Sequence, residues 1–494
     1  MKTNTILSEP ENIDTNLLVL GVFEKETRDI KNIDSLLNNS ISNTIKSKEF
    51  EGEFKQDHLI TTLGKIKPKK LLLIGLGKKK EYDLEKLRKL AAMSAKYAKS
   101  MNLKEFSSNL HSSVIKNTTS KERVQALMEG TILGLYQFNK YKTVDTDKIK
   151  YIELFNILTD KNHQKETEKA VESGKILAEA QNYVRDLVNG PASEITPTYL
   201  ASEAKEIAKN PNINLKIYEK DEIKKKFGGL YTVGKGSAEN PKMIVLDYNP
   251  NKKKTIVFVG KGITFDSGGL NLKPGKYMYS MKEDMGGAAV LLGLFSVLPK
   301  LDLNFRVIGI IPTCENMPSG TAMRPGDIIT TFSKKTIEVI DTDAEGRLIL
   351  SDGLSLADTF KPSAVIDIAT LTGASIVVLG YYAAPVIGNN QKLVDSLIRA
   401  GTKTNERLWQ LPLWDEYKEL IKSDIADVRN ISKYEGYEAG VITAAGFLEA
   451  FTESNWAHID IGGTSWFPRS EDYTPSNATG FGVRLFAEFL KNYK

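Results

Sequence analysis

Thr255-Ile-Val-Phe-Val-Gly260-Lys261-Gly-Ile-Thr-Phe-Asp266-Ser-Gly-Gly269, with Lys273 just beyond it, decides how this chain is read. Thr255–Val259 is a short apolar run of the kind that becomes a strand buried on both faces of a parallel sheet. Met243–Leu246, Phe305–Ile311, Ile337–Ile340 and Ala364–Ile368 read the same way, and helical stretches at Gly286–Leu298 and Arg347–Phe360 lie between them. Such alternation predicts an α/β sheet with helices on both faces, whose ligands bind beyond the carboxyl ends of the strands.

The residues at those ends are consistent in type. Lys261, Asp266 and Lys273 follow the first strand, and Asp284 precedes the helix at Gly286. Asp341-Thr-Asp343-Ala-Glu345-Gly-Arg347-Leu348 follows Ile337–Ile340, and Thr370-Leu-Thr-Gly373-Ala374 follows Ala364–Ile368. Carboxylates converging on one cleft repel unless cations neutralise them. Two divalent metals about 3.5–4 Å apart, bridged by carboxylate oxygens, are an economical solution. Taken singly, Asp266 or Asp284 is a cap or turn residue, and Lys261 between glycines could equally bind phosphate. Only their joint spacing argues for a metal centre.

Composition narrows the choices. The 494 residues are enough for two or three domains, and 41% hydrophobic with 26% charged residues is ordinary globular usage. Lys plus Arg is 67 against 62 for Asp plus Glu, a net charge of +5 that is too small at this length to predict nucleic-acid or membrane binding. One cysteine, Cys314, excludes a disulfide framework and Cys-based metal modules, and the four histidines His58, His111, His163 and His458 are scattered. Any metal ligation must rest on carboxylates. With no export signal and no long apolar run, the chain reads as cytoplasmic.

Outward from the central stretch, residues 1–160 read as a small N-terminal α/β domain. Its strand candidates are Lys70–Gly75 and Tyr151–Leu158, with a helix carrying Leu84, Leu87, Ala91 and Ala98 between them. Residues 161–494 read as the larger domain, with a central mixed, mainly parallel sheet. A connecting helix over 164–188 enters it, stopped by Asn189-Gly190-Pro191. Gly229-Leu-Tyr-Thr-Val-Gly234-Lys235 nearly spells a phosphate loop, but Gly236 stands where Ser or Thr is needed. Cys314 reads as a small buried residue. His458 reads as a core histidine, with a His-x-Asp metal pair to Asp460 as the alternative.

Gly260–Gly269 and Asp343–Leu348 resemble the two signature segments of the leucyl aminopeptidase (cytosol aminopeptidase) family, peptidase family M17. The resemblance extends through Arg185–Pro191, Cys314–Gly320, Arg324–Asp327 and Trp456–Gly463. It implies a metallo-aminopeptidase that removes N-terminal residues, preferably Leu or other apolar ones, from peptides with a free N-terminus. It further implies that Lys261, Asp266, Asp284, Asp343 and Glu345 bind two divalent ions, Zn2+ and/or Mn2+, with Asp266 and Glu345 bridging. Lys273 and Arg347 would be the non-ligand catalytic residues, with bicarbonate held at Arg347 as proton shuttle. Met281, Thr370, Gly373 and the Gly462–Ser465 turn would wall the substrate pocket. The family pattern also implies a homohexamer, and some relatives double as DNA-binding regulators. A lysine ligates only as the neutral amine, which burial and an adjacent dication favour.

Asp341 departs from the family pattern, which has asparagine there. Its side chain is expected to bond the local backbone, as Asn and Asp both do in turns. A two-metal phosphoesterase is the competing enzyme reading, but such sites recruit histidines or asparagines that these signatures do not supply.

Overall fold

The computed structural model describes residues 1–26, 30–434 and 438–493. The chain divides into two compact units, Met1–Glu179 with Arg469–Pro475, and Ala180–Pro468 with Ser476–Lys494. The helix Gln164–Asn189 contains the division, so part of it belongs to each unit.

The first unit holds a six-stranded sheet. In chain order its strands are β1 (Lys2–Leu7), β2 (Leu18–Phe23), β3 (Asp57–Thr61), β4 (Lys70–Gly77), β5 (Glu105–Ser108) and β6 (Leu154–Thr159), arranged β1-β6-β5-β2-β4-β3. Only β3 runs antiparallel to its neighbour. The helices Leu84–Ser100 and Ser120–Gly134 present Leu87, Leu90, Ala91, Leu127 and Met128 to its core. Asp83 caps the first through Lys86 N at 2.8 Å, and Thr119 with Glu122 forms a capping box on the second.

His111 is buried in this unit, and its Nδ1 has no hydrogen-bond partner among the described residues. Burial, aided by the charge of Arg123, pushes its pKa down to about 4. A depressed histidine keeps the folded state neutral while the unfolded chain takes up a proton below about 6.5. The stability it contributes is therefore complete above pH 6.5 and is lost as pH falls toward 4, about 2 kcal/mol by pH 5. Urea unfolding at pH 7 and pH 5 should show His111→Gln losing less stability over that interval than the parent; equal losses would contradict the assignment.

The second unit is built on a nine-stranded sheet. Its strands are β7 (Ile213–Tyr218), β8 (Lys242–Tyr248), β9 (Thr255–Gly260), β10 (Gly262–Asp266), β11 (Arg306–Asn316), β14 (Ala364–Ala369), β15 (Ala384–Gly388), β16 (Leu408–Gln410) and β18 (Trp456–Asp460). The order is β16-β15-β18-β14-β9-β11-β8-β7, with β10 also on β11. The centre, β18-β14-β9-β11, is parallel, and the flanks contain the antiparallel pairs β15/β18, β8/β11 and β7/β8. This is the mixed, mainly parallel α/β sheet that the apolar runs predict.

Two strands differ from expectation. Met243–Leu246 lies in β8, which is antiparallel to β11. Unbroken apolar character reports burial on both faces, and a flank strand covered on both sides has it too. Ile337–Ile340 is not in the main sheet at all. Thr336–Glu338 forms β13, which pairs antiparallel with β12 (Ile328–Thr330) and parallel with β17 (Val428–Arg429). Across 337–340, Ile337 and Val339 are buried while Glu338 and Ile340 are half-buried, the alternation of one covered face rather than a two-faced run. The near phosphate-loop sequence is instead a short helix, Gly228–Gly234; a Cβ on Gly229 would stand 2.2 Å from the carbonyl oxygen of Leu348.

β11 is long because one of its edges serves two partners in turn, while β8 lies on the other. Arg306–Ile310 pairs with Thr255–Val259 of β9, and Thr313–Asn316 pairs with Gly262–Asp266 of β10. The break between them is Gly260-Lys261-Gly262. A Cβ on Gly260 would meet the Gly287 carbonyl oxygen at 2.6 Å, so glycine allows the helix Gly286–Val297 to close on the strand end.

Candidate metal centre

The polar residues collect at the carboxyl ends of the central strands, where open α/β sheets bind ligands. Lys261 leaves β9 almost fully buried. Its Nζ lies 2.7 Å from Asp284 Oδ1, 3.0 Å from Glu345 Oε1 and 2.8 Å from the Thr370 carbonyl. Lys273 Nζ lies 2.9 Å from Asp266 Oδ2 and 2.6 Å from Asp343 Oδ1. Asp266, Asp343 and Glu345 each offer a carboxylate oxygen within 4.8 Å of the other two. Asp284 joins through Lys261 and accepts a hydrogen bond from Thr370 Oγ1 at 2.9 Å.

Local backbone geometry makes this convergence. Gly268 and Gly269, with φ +86° and +66°, turn the chain after Asp266, and a Cβ on Gly268 would stand 2.8 Å from Asp343 Oδ1. Asp266 Oδ1 accepts from Gly268 N and from Asn316 Nδ2. Asp341 Oδ1 accepts from Asp343 N at 2.8 Å, a turn bond that asparagine would make equally well. Glu345 stands immediately before the helix Gly346–Asp358, and Arg347 lies in its first turn.

Four carboxylates face two ammonium groups here, so full ionisation would leave two negative charges uncompensated. Burial and the neighbouring Glu345 charge push Asp266 up to about 7, against the pull of Lys273. The same two causes raise Asp343 to about 6, and burial raises Asp284 despite Lys261. Glu345 goes the other way: burial works against its charge, but Lys261 and Lys273 together hold it below the usual carboxylate value. Burial alone would lower Lys261, yet Asp284, Glu345 and Asp266 outweigh it and raise its pKa. Without a dication, therefore, the lysine is an ammonium ion rather than the neutral amine. Asp284 Oδ2 is buried without a hydrogen-bond partner among the described residues. An oxygen-rich donor set with one lysine nitrogen, carrying excess negative charge, has the chemistry to hold divalent cations.

Arg347 is buried, its Nη1 donates to the Asn430 carbonyl at 2.7 Å, and burial pulls its pKa down to about 10. Thr370 joins the cluster through both its hydroxyl and its carbonyl. Met281 opens the short turn that carries Asp284, and Gly373 is exposed at the start of the helix Ala374–Leu379.

The catalytic-domain model of the cytosol aminopeptidase family matches residues 182–487, and the family's N-terminal-domain model matches residues 19–145. The chain belongs to the cytosol aminopeptidase family. It is similar to the "Probable cytosol aminopeptidase" of Geobacter sp. (strain M21), 42% identical over 482 residues, covering 97% of each chain. The protein of that name from Pseudomonas fluorescens (strain Pf0-1) is 40% identical over 488 residues, again covering 97% of each. Among solved structures, a mutant of tomato leucine aminopeptidase superposes with a TM-score of 0.87 at 30% identity, covering 99% of this chain and 96% of that one. The bottromycin maturation enzyme BotP in complex with Mn gives 0.85 at 30% identity, covering 96% and 99%. This chain is thus a metal-dependent aminopeptidase, a hydrolase with the two-domain α/β fold of its family. No helix among the described residues is long and apolar enough to cross a membrane.

In this aminopeptidase several supporting residues escape sequence reasoning. Asp460, at the end of β18, is fully buried and accepts from Leu371 N, Thr372 N, Thr372 Oγ1 and Gly462 N, so it fixes the loop that brings Thr370 to Lys261 and Asp284. Those bonds occupy Asp460 and argue against a metal pair with His458. His458 Nδ1 instead lies 2.6 Å from Asp367 Oδ1, while Asp367 Oδ2 accepts from Trp456 Nε1. Glu283, pushed up to about 8 by burial, accepts from Ser465 in the Gly462–Ser465 turn. Cys314 is buried, and burial raises its thiol pKa. A signal for Asp460 existed in Trp456–Gly463, where a carboxylate ends an apolar strand.

Proposed function

We propose that this chain releases N-terminal amino acids, preferably Leu or other apolar residues, from peptides. In this reading Lys261, Asp266, Asp284, Asp343 and Glu345 would hold two divalent ions, Zn2+ and/or Mn2+. The observation that carries it is the trio Asp266, Asp343 and Glu345 beside the Lys261–Asp284 pair, at the strand ends. When bound, the ions polarise the scissile carbonyl and acidify the attacking water. Binding requires Lys261 to give up its proton, so affinity rises with pH.

The remaining work falls to residues of the chain. Burial works against the Lys273 charge, but Asp266, Glu345 and Asp343 outweigh it and hold the side chain as a cation, which supports charge developing on the carbonyl oxygen. Arg347 Nε is buried with no hydrogen-bond partner among the described residues, which suits a guanidinium that receives a small oxyanion such as bicarbonate for proton transfer. Thr370 steadies Asp284 from the pocket side, with Met281 and Gly373 as further wall residues. Domains at 1–160 and 161–494, homohexameric assembly and a cytoplasmic location complete the reading.

The test sets a leucine arylamide beside an aryl phosphate, before and after chelation. Arylamide hydrolysis should disappear with the metal and return with Mn2+ or Zn2+, and phosphate release should stay at background. Full arylamide activity in protein shown by elemental analysis to be metal-free would overturn the proposal.

A further inference from the structure

The segment between β13 and the helix at Gly346 carries Asp343 and Glu345, yet residues 339–345 form neither strand nor helix. Something else must hold it. β17 runs parallel to β13, with Arg429 opposite Glu338, so Asn430 emerges beside the start of this segment. Asn430 is fully buried. Its Oδ1 accepts from Ile340 N at 2.7 Å and Asp341 N at 3.3 Å, and its Nδ2 donates to the Asp341 carbonyl at 2.6 Å and the Ala344 carbonyl at 3.3 Å. Its own carbonyl accepts from Arg347 Nη1, and its N–H donates to the Glu338 carbonyl. One side chain thus spans the carboxylate segment, while its backbone anchors the guanidinium.

We infer that Asn430 is a positioning residue that sets the Asp343/Glu345 segment and the Arg347 guanidinium in a single register. The inference rests on the metal-centre reading above, because that reading gives the segment its ligands. The pairing calls for an amide at the length of an asparagine side chain. The site needs an acceptor facing two N–H groups and a donor facing two carbonyls, which is the amide pattern. Aspartate supplies the acceptor but sets a second oxygen against both carbonyls. Alanine removes both functions and leaves half-buried backbone groups of Ile340, Asp341 and Ala344 without this partner. Groups that orient ligands in this way commonly govern metal affinity by 10–100-fold.

The test titrates Mn2+ into metal-free full-length protein, reading free Mn2+ by its EPR signal, for the parent, Asn430→Ala, Asn430→Asp and Glu345→Gln. Asn430→Ala and Asn430→Asp should weaken Mn2+ binding by about 10-fold or more. At saturating Mn2+, kcat for a leucine arylamide should remain depressed while KM changes little, because Arg347 is displaced as well. Asn430→Ser, which keeps a hydroxyl for one carbonyl, should fall between parent and alanine, and it carries the titration if alanine does not fold. Parent-like Mn2+ affinity and kcat in folded Asn430 variants, with Glu345→Gln defective, would overturn this inference and leave the metal centre standing. A parent protein that binds no Mn2+ would overturn both.

Discussion

Glu345→Gln should leave a folded protein that has lost both its metal and at least about 10³-fold in kcat/KM, or about 4 kcal/mol of transition-state stabilisation. The substitution preserves shape and removes one charge. Glu345 is buried beside Lys261 and feels the charge of Lys273, and both lysines hold it ionised. It is the cluster's carboxylate whose pKa is lowered, so it is the one most firmly available as an anion at neutral pH. Glutamine takes that anion away from the proposed metal site, and Lys261 is left to Asp284. Elemental analysis and leucine arylamide kinetics, with circular dichroism for the fold, give the readout. A variant that keeps full metal content and more than a tenth of parental kcat/KM would refute the assignment.

Gly346→Ala should cost about 10²-fold in kcat while the fold holds. A Cβ at this position would stand 2.4 Å from Lys261 Cε and 2.6 Å from Nζ, closer than atoms can approach. The obstructed group is the tip of a side chain, so the lysine moves and the backbone does not. Gly346 begins a helix, where alanine is the better helix former by up to about 1 kcal/mol. Stability and activity therefore separate. The displaced amine loses its 2.7 Å approach to Asp284 and its bond to the Thr370 carbonyl, and with them the position from which its nitrogen is proposed to ligate a metal. Unchanged melting with kcat reduced is the expected pair of measurements. Activity within twofold of the parent would show that the amine need not sit where it does.

The sheet and the charged cluster were legible for the same reason: both are written in short contiguous segments. Thr255–Val259 and Ala364–Ile368 are apolar runs whose strands lie side by side, and the polar residues follow them at once. Strand direction was less legible. Met243–Leu246 has the composition of a parallel strand, since composition reports burial and not polarity. Ile337–Ile340 has the apolar content of a buried run, but its burial alternates, with Ile337 and Val339 inward, which suits a small separate sheet with one covered face. Asn430, Asn316 and Asp460 were not legible as a group. Each makes side-chain hydrogen bonds that include partners between 26 and 90 positions away, and a single polar residue in sequence does not name a partner at such a distance. Asn430 sits in Arg429-Asn-Ile-Ser432, which carries no motif.

The double pairing of β11 sets a limit on redesign. With β9 on one half and β10 on the other, a single continuous strand acts as the ruler between Lys261 and Asp266. A one-residue insertion or deletion at Gly260-Lys261-Gly262 would shift one ladder against the other and turn every side chain of β10 to the opposite side of the sheet. Engineers seeking a wider or narrower cation cradle should therefore leave that stretch at its native length and alter the Asp343 arm, which side chains fasten and no ladder constrains.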